Sequence, residues 1–82
     1  MDQIKIGRFI AQERKQKNYT QRQLADRLGI SDKTISKWER GNGFPEVSLL
    51  LPLCEELDIS VNELLTGERV SDTEYRKKAE EN

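Results

Sequence analysis

The stretch from Thr20 to Gly41 constrains the fold more than any other part of the 82-residue chain. Thr20 and Gln23 have the spacing of a capping box, in which a hydroxyl and an amide satisfy free backbone N–H groups at the start of a helix. Gly29 ends that helix because glycine adopts the left-handed conformation at little cost. Ser31 then caps a second helix, which ends at a Gly-Asn-Gly sequence. The stretch therefore predicts two short helices joined by a sharp turn.

Three further helices complete a predicted all-α fold of five helices. The first begins after the cap Asp2 and runs to about Lys17. The fourth covers residues 47–57, and the fifth covers residues 61–65 after a capping box that begins at Ser60. Apolar residues at helical spacing supply the expected core: Ile6, Phe9, Ile10, Leu24, Ala25, Leu28, Ile35, Trp38, Leu49, Leu50, Leu53, Cys54, Leu57, Val61, Leu64 and Leu65.

We expect one domain over residues 1–67 and a polar segment over residues 68–82. Ser71 and Glu74 repeat the spacing of a helix cap, which allows a sixth helix from Asp72 or a frayed tail. Because the chain stops within this helical pattern, we expect it to be a fragment of a longer protein. A full-length chain with a frayed end is the alternative.

The charge is divided unevenly along the chain. The total is −1, but residues 4–41 hold ten Lys/Arg and four Asp/Glu, whereas residues 42–82 hold four and ten. A basic first half and an acidic second half are an asymmetry typical of a domain with a nucleic-acid surface. Ordinary solvated charge is the alternative, and the charge alone does not decide between them.

Composition argues against several classes of function. One cysteine and no histidine leave no disulfide framework and no plausible zinc site, so we expect no metal and no cofactor. We also expect no enzyme, because no nucleophile, base and orienting group lie at a plausible spacing. No apolar run approaches the roughly 20 residues that span a bilayer, and the amino terminus does not resemble a secretory signal. These features predict a cytoplasmic protein without a membrane partner.

The third helix has a narrow apolar face, formed by Ile35 and Trp38. Its outward positions are polar and mostly basic: Asp32, Lys33, Ser36, Lys37 and Arg40. Such a helix fits the major groove of DNA, which is about 12 Å wide. A solvated surface helix is the alternative. The spacing from Ile35 favours Trp38 as a core anchor over a base-stacking residue. Cys54 lies on the apolar face of the fourth helix and has no His, Cys or Asp partner at ligand spacing, which favours a packing residue over a redox sensor.

From about Ile6 to Gly67 the chain resembles the lambda-repressor/Xre family of bacterial and phage regulators. The matching segments are IGRFIAQERK, TQRQLADRLGIS, TISKWERG and FPEVSLLLPLCEELDISVNELLTGE, in that order. The resemblance implies a five-helix, sequence-specific DNA-binding domain of a transcriptional regulator, with repression as the expected sign. It also implies that the helix over residues 32–40 lies in the major groove.

The resemblance assigns roles to individual residues. Base reading is implied for Asp32, Lys33, Ser36 and Lys37. Phosphate binding is implied for Gln21, Thr34 and Arg40, and for the backbone N–H groups of Asn42 and Gly43. A structural ion pair is implied between Arg14 and Glu39. Lysine can donate to guanine O6 and N7, whereas Asp32 either accepts from cytosine N4 or excludes some sequences by repelling phosphate.

One such domain reads only a short site, so we expect a homodimer on a palindromic double-stranded operator. The two half-sites would lie about 34 Å apart. Two alternatives stay open. The domain is the antitoxin or DNA-tethering part of a system whose decisive partner is a protein, or it is a helix-turn-helix retained for protein interaction without DNA binding.

Overall fold

The computed structural model describes residues 2–70, and these residues form five α-helices without a strand. The helices are α1 (Gln3–Gln16), α2 (Gln21–Leu28), α3 (Asp32–Glu39), α4 (Val47–Leu57) and α5 (Val61–Thr66). The predicted all-α fold is confirmed, and each helix lies within one or two residues of its predicted bounds. The alternatives of a sixth helix and a frayed tail fall outside the described residues. No helix in this part of the chain is long and apolar enough to span a bilayer.

Side-chain caps mark the starts of α1, α2, α3 and α5, whereas α4 begins without a side-chain cap bond. The carboxylate of Asp2 accepts from two N–H groups in the first turn of α1, at 3.0 and 3.1 Å. The capping boxes at Thr20 and Ser60 are both complete. Ser31 Oγ accepts from the backbone N–H of Lys33 at 3.1 Å. Each of these bonds satisfies an N–H group that has no partner within its helix.

The core lies where α1 packs against α3 and α5, and α2 packs against α3 and α4. The largest fully buried side chains come from all five helices: Ile6, Ile10, Leu24, Ile35, Leu53, Leu57 and Leu64. Trp38 and Cys54 are also buried, which confirms the predicted packing of both. The prediction for Leu65 is wrong, since this residue is 38% exposed. The six-residue α5 turns Leu64 toward the core and leaves its neighbour outside.

Gly7 sets how closely α1 approaches the end of α3. A Cβ atom at this position would lie 2.3 Å from the carbonyl oxygen of Trp38 and 2.9 Å from that of Glu39. Both contacts are shorter than van der Waals packing allows, so only glycine fits. The element that approaches α1 at Gly7 is therefore the last turn of α3.

We expected the domain to end at Gly67, but the residues that follow it also contact the helices. The guanidinium of Arg69 forms an ion pair with Glu13 and donates to the carbonyl of Asp58 at 3.4 Å. The side chain of Glu13 is 4% exposed, whereas that of Arg69 is 50% exposed. The N–H of Val70 donates to Glu63 at 2.8 Å. Residues 68–70 therefore lie against the helices instead of leaving them directly.

Candidate nucleic-acid interface

Two opposite sides of α3 have different environments. On the inner side Ile35 and Trp38 are buried, with exposures of 0% and 4%. On the outer side Lys33 and Lys37 are exposed, and Ser36 is half-buried. Asp32 is also exposed and is the first residue of the helix. The four residues implied as base readers therefore lie on one helix, spaced so that they follow one another along its outer side.

The turn between α2 and α3 fixes where this outer side begins. Gly29 has a φ of 69°, and the N–H of Ile30 donates to the carbonyl of Ala25 at 3.0 Å. This is the backbone pattern that closes a helix after a left-handed residue. Ile30 is half-buried and packs against the core, as expected for an apolar residue in this turn. The start of α3 is thus held by backbone bonds and by packing.

The basic residues on the outer side are not neutralised within the domain. The ion pairs of residues 2–70 involve Lys5, Arg14, Lys17, Arg27 and Arg69. Lys33, Lys37 and Arg40 form no ion pair with an acid of the described part of the chain. Their positive charge is therefore directed to solvent, where an anion such as a phosphate can meet it.

The end of α3 corrects one part of the implied phosphate site. The N–H of Asn42 donates to the carbonyl of Lys37 at 2.9 Å, and the N–H of Gly41 donates to that of Trp38 at 3.0 Å. Gly41 has a φ of 76°, so these bonds close the helix in the same manner as at Gly29. The Asn42 N–H is therefore used at the helix end, and its exposed side chain is the group that can reach a phosphate. Among residues 2–70 the N–H of Gly43 donates to no group.

The side chains of Arg40 and Thr34 differ in how accessible they are to a phosphate. Arg40 is exposed, and its Nε donates to the carbonyl of Ser36 at 3.2 Å. This bond leaves the two terminal nitrogens of the guanidinium for another acceptor. Thr34 is half-buried. Thr34 lies in the helix that carries the implied base readers and Arg40 directly follows its last residue, so both can contact the same DNA segment.

Arg14 and Glu39 form the ion pair that the resemblance implied. Arg14 Nε donates to Glu39 Oε2 at 2.7 Å, and Arg14 Nη2 donates to Glu39 Oε1 at 3.0 Å. The side chains are only 10% and 8% exposed. The remaining terminal nitrogen of Arg14 donates to the carbonyl of Tyr19 at 2.8 Å. This two-pronged bond therefore fastens the end of α3 to α1 and to the loop before α2.

Gln21 has a partner that the sequence did not indicate. Its Nε2 atom donates to Glu39 Oε1 at 3.0 Å, and the residue is half-buried. The resemblance implies that Gln21 binds a phosphate, and in the structure its amide donates to a carboxylate of α3. The two residues are 18 positions apart, and no local pattern joins them.

Sequence reasoning also missed a cluster that joins α2 to α4. Arg27 Nε donates to Glu56 Oε2 at 2.6 Å, and the Tyr19 hydroxyl donates to the same oxygen at 3.3 Å. The guanidinium carbon of Arg27 lies 5.2 Å from the centre of the Tyr19 ring, within cation–π range. The hydrogen bond that Arg27 donates to Glu56 raises the pKa of Arg27 above its usual value. The Tyr19 hydroxyl is therefore used inside the domain.

Cys54 and the acidic residues form no ligand site in the described part of the chain. Residues 2–70 contain no group of three or more His, Cys, Asp or Glu side chains that could hold a metal ion. Cys54 is 4% exposed, and burial raises the pKa of its thiol. A thiol of this kind is unreactive at neutral pH because the thiolate is the nucleophile.

Comparison with known proteins defines the class to which this arrangement belongs. The helix-turn-helix family HTH_3 matches residues 10–64, a range that includes all of α2, the turn and α3. The chain belongs to the helix-turn-helix family of the Xre and lambda-repressor type.

Individual relatives agree with this class. The chain is 37% identical over 76 residues to the HTH-type transcriptional activator BcrR of Enterococcus faecalis, covering 89% of this chain and 37% of BcrR. It is 41% identical over 61 residues to the CTXphi transcriptional repressor RstR of Vibrio cholerae, covering 74% of this chain and 54% of RstR. The chain thus spans about a third to a half of the length of these relatives.

A solved structure supports the fold. The clp gene regulator ClgR of C. glutamicum superposes with a TM-score of 0.72 at 28% identity, covering 82% of this chain and 86% of ClgR. The helical arrangement described above is therefore the arrangement of a known regulator. The likeness extends over most of both chains.

Proposed function

We propose that this chain is a sequence-specific DNA-binding domain of a cytoplasmic transcriptional regulator, a repressor, with α3 in the major groove. The observation that carries the proposal is the division of α3. Its inner side is buried through Ile35 and Trp38, while its outer side presents Lys33 and Lys37 without an acidic partner in residues 2–70. A groove-binding helix needs both a fixed inner side and a free basic outer side.

The outer side supplies two kinds of contact. Lys33 and Lys37 can donate to guanine O6 and N7, and Ser36 can bond to any base edge. Asp32 precedes them and accepts from cytosine N4 or rejects unsuitable sites by repelling phosphate. Phosphates are held by the group that flanks these readers: Thr34, Arg40, the Asn42 side chain and the Gly43 N–H. These contacts set register and orientation but carry no sequence information.

A homodimer on a palindromic operator completes the proposal. One α3 reads a few base pairs, and a two-fold pair places two such helices on half-sites about 34 Å apart. The proposed DNA-binding unit is the domain over residues 1–67, against which residues 68–70 also pack. The exposed apolar residues Val47 (86%) and Leu51 (63%) lie one turn apart on α4 and offer a surface for protein contact.

The same apolar pair favours a second candidate function. In this candidate, of antitoxin or interaction-module type, the decisive partner is a protein and α4 supplies the contact. It predicts that Val47→Asp abolishes the partner contact while Lys37→Ala leaves it unchanged. The repressor proposal predicts the opposite: Lys37→Ala should weaken operator recognition more than Val47→Asp does.

Selection from random duplexes followed by a salt titration tests the DNA proposal. We expect an enriched palindromic sequence and an affinity that falls steeply with salt concentration. Lys37→Ala should relax the sequence preference, whereas Arg40→Ala should weaken binding to all duplexes and lower the salt slope by about 1. Fluorescence anisotropy with the selected duplex and with an unrelated duplex measures both effects.

Lys15→Ala provides the control for net charge. Lys15 is exposed on α1 and borders a groove with Gln12, Gln16 and Asn18, none of which belongs to α3. We expect this variant to bind both duplexes as the wild type does. Binding that does not depend on salt, together with inert Lys33→Ala and Lys37→Ala variants, would contradict the proposal.

A further inference from the structure

The carboxylate of Glu39 accepts hydrogen bonds from two different helices. Both of its oxygens accept from Arg14 of α1, at 2.7 and 3.0 Å. Its Oε1 also accepts from the amide of Gln21 in α2, at 3.0 Å. The Glu39 side chain is 8% exposed, so these bonds are shielded from water and strengthened by the lower local dielectric constant. Glu39 therefore joins the start of α2 and the late part of α1 to the end of α3.

This arrangement ties α2 and α3 together at both ends. Gln21 is the first residue of α2 and Glu39 is the last residue of α3, while the turn at Gly29 joins the other two ends. Each helix has eight residues and is about 12 Å long. With the turn alone, a rotation of about 10° about it would move the far end by about 2 Å. Such a movement is enough to break a hydrogen bond to a base edge.

The far end of α3 is where part of the proposed base reading takes place. Lys37 precedes Glu39 by two residues, and Ser36 precedes it by three. A tie at Glu39 therefore holds the turn of the helix that carries these two readers. Asp32 and Lys33 lie beside the inter-helical turn and are held by it instead.

We propose that Gln21 is a positioning residue, which acts through Glu39 to set the angle of α3. This proposal rests on the proposed function, because it concerns how the DNA-reading helix is held. It differs from the role implied by resemblance, in which the Gln21 amide only holds a phosphate. An amide nitrogen carries two hydrogens, so the bond to Glu39 leaves one for a phosphate oxygen and also fixes the direction of that hydrogen.

The two roles predict different losses for Gln21→Ala. A positioning residue affects the selected duplex more than an unrelated one, because only the selected duplex uses base contacts. We expect affinity for the selected duplex to fall about tenfold, as for loss of one hydrogen bond to a charged group. We expect the affinity for the unrelated duplex to fall by a smaller factor, because that duplex can lose only the phosphate contact of Gln21. Gln21→Asn, which keeps the amide but shortens the side chain by one methylene, should behave in the same way.

Arg22→Ala is the matched control on the same turn of α2. Arg22 is exposed and makes no ion pair with an acid of residues 2–70. Its removal should change both duplexes by the same factor, whether or not the guanidinium reaches a phosphate. If Gln21→Ala lowered the affinity for both duplexes by the same factor, Gln21 would act only as a phosphate contact, and the proposal would be overturned.

A variant background tests whether Gln21 acts through Glu39. In Arg14→Met/Glu39→Leu the ion pair is replaced by apolar side chains, a replacement that often preserves stability. Thermal melting establishes that this background folds. There, Gln21→Ala should leave the ratio of the two affinities unchanged. A drop in that ratio as large as in the wild type would overturn the proposal.

Hydrogen exchange of the free protein gives a readout that does not depend on DNA. Gln21→Ala should increase backbone exchange in the last turn of α3, whereas Arg22→Ala should not. Unchanged exchange in that turn would overturn the positioning role. A wild-type protein that binds no duplex would overturn the proposed function instead, so the two failures are distinguishable.

Discussion

The inner side of α3 packs against Gly7 and Arg14 of α1, whereas its outer side exposes Lys33 and Lys37. The inner contacts are short and shielded, as shown by the Arg14–Glu39 bond of 2.7 Å and the close approach at Gly7. The outer residues Lys33 and Lys37 contribute no internal ion pair within residues 2–70. The inner side of α3 therefore contributes to the stability of the fold, and the outer side is the one proposed to recognise DNA. We name the inner contacts, formed by Gly7, Arg14, Trp38 and Glu39, the α1–α3 junction.

The largest effect is expected when the ion pair of the α1–α3 junction is broken. Arg14→Ala leaves Glu39 buried without its cationic partner, and removal of one partner from a buried pair costs about 3–5 kcal/mol. Urea denaturation measures the free energy of unfolding. Arg27→Ala is the control, since the Arg27 side chain is 54% exposed and an exposed pair contributes about 1 kcal/mol or less. Equal losses for the two variants would show that burial at the junction has no energetic consequence.

The next effect concerns the backbone approach at Gly7. Alanine favours a helix over glycine by about 1 kcal/mol, but its Cβ would lie 2.3 Å from the carbonyl oxygen of Trp38. Since backbone atoms must move apart, we expect Gly7→Ala to lower the free energy of unfolding by about 2 kcal/mol. Arg8→Ala, at an exposed position of the same helix, should be nearly neutral. A stabilised Gly7→Ala variant would contradict the close approach.

A smaller effect is expected at the segment that follows α5. Arg69→Ala leaves the buried carboxylate of Glu13 without its cationic partner, and an unsatisfied buried group costs about 1–3 kcal/mol. Adding Glu13→Gln should recover part of this loss because the neutral amide is easier to bury. The control is Lys17→Ala, which removes an exposed ion pair at 3.6 Å. If Arg69→Ala matched this control in thermal denaturation, residues 68–70 would lie outside the stable domain.

The smallest effect on stability is expected on the outer side of α3. Lys37→Ala removes an exposed side chain without an internal partner, so the free energy of unfolding should change by less than about 0.5 kcal/mol. The proposed DNA affinity should fall in the same variant, which separates recognition from stability. A large loss of stability for Lys37→Ala would contradict the division of α3 into two sides.

The helix positions could be predicted because their signals are local. Thr20 and Ser60 bond within their own first turns, and such bonds join residues two or three positions apart. The one local error on the proposed interface was the Asn42 N–H. The left-handed Gly41 closes α3 and uses that N–H within the helix end, so the chain cannot offer it freely to a phosphate.

The contacts between helices were harder to predict. The pairing of Arg14 with Glu39 came from resemblance to a family, not from a pattern in the residues. Nothing in the sequence indicated that Gln21 reaches Glu39 or that Arg69 reaches Glu13, because these pairs are separated by 18 and 56 positions. Many carboxylates in the chain could accept from each donor, and only the packing of the helices selects one.

The sequence by itself determined the caps, the helix lengths, the apolar stripes and the separation of basic and acidic halves. These properties depend on residues that are neighbours along the chain or along one turn of helix. Only the tertiary structure decided that Gly7 receives the last turn of α3, that Glu39 gathers donors from α1 and α2, and that Lys33 and Lys37 stay without acidic partners in residues 2–70. The physical reason is that burial and hydrogen bonding between distant residues depend on how whole helices pack, and packing is a property of the complete core.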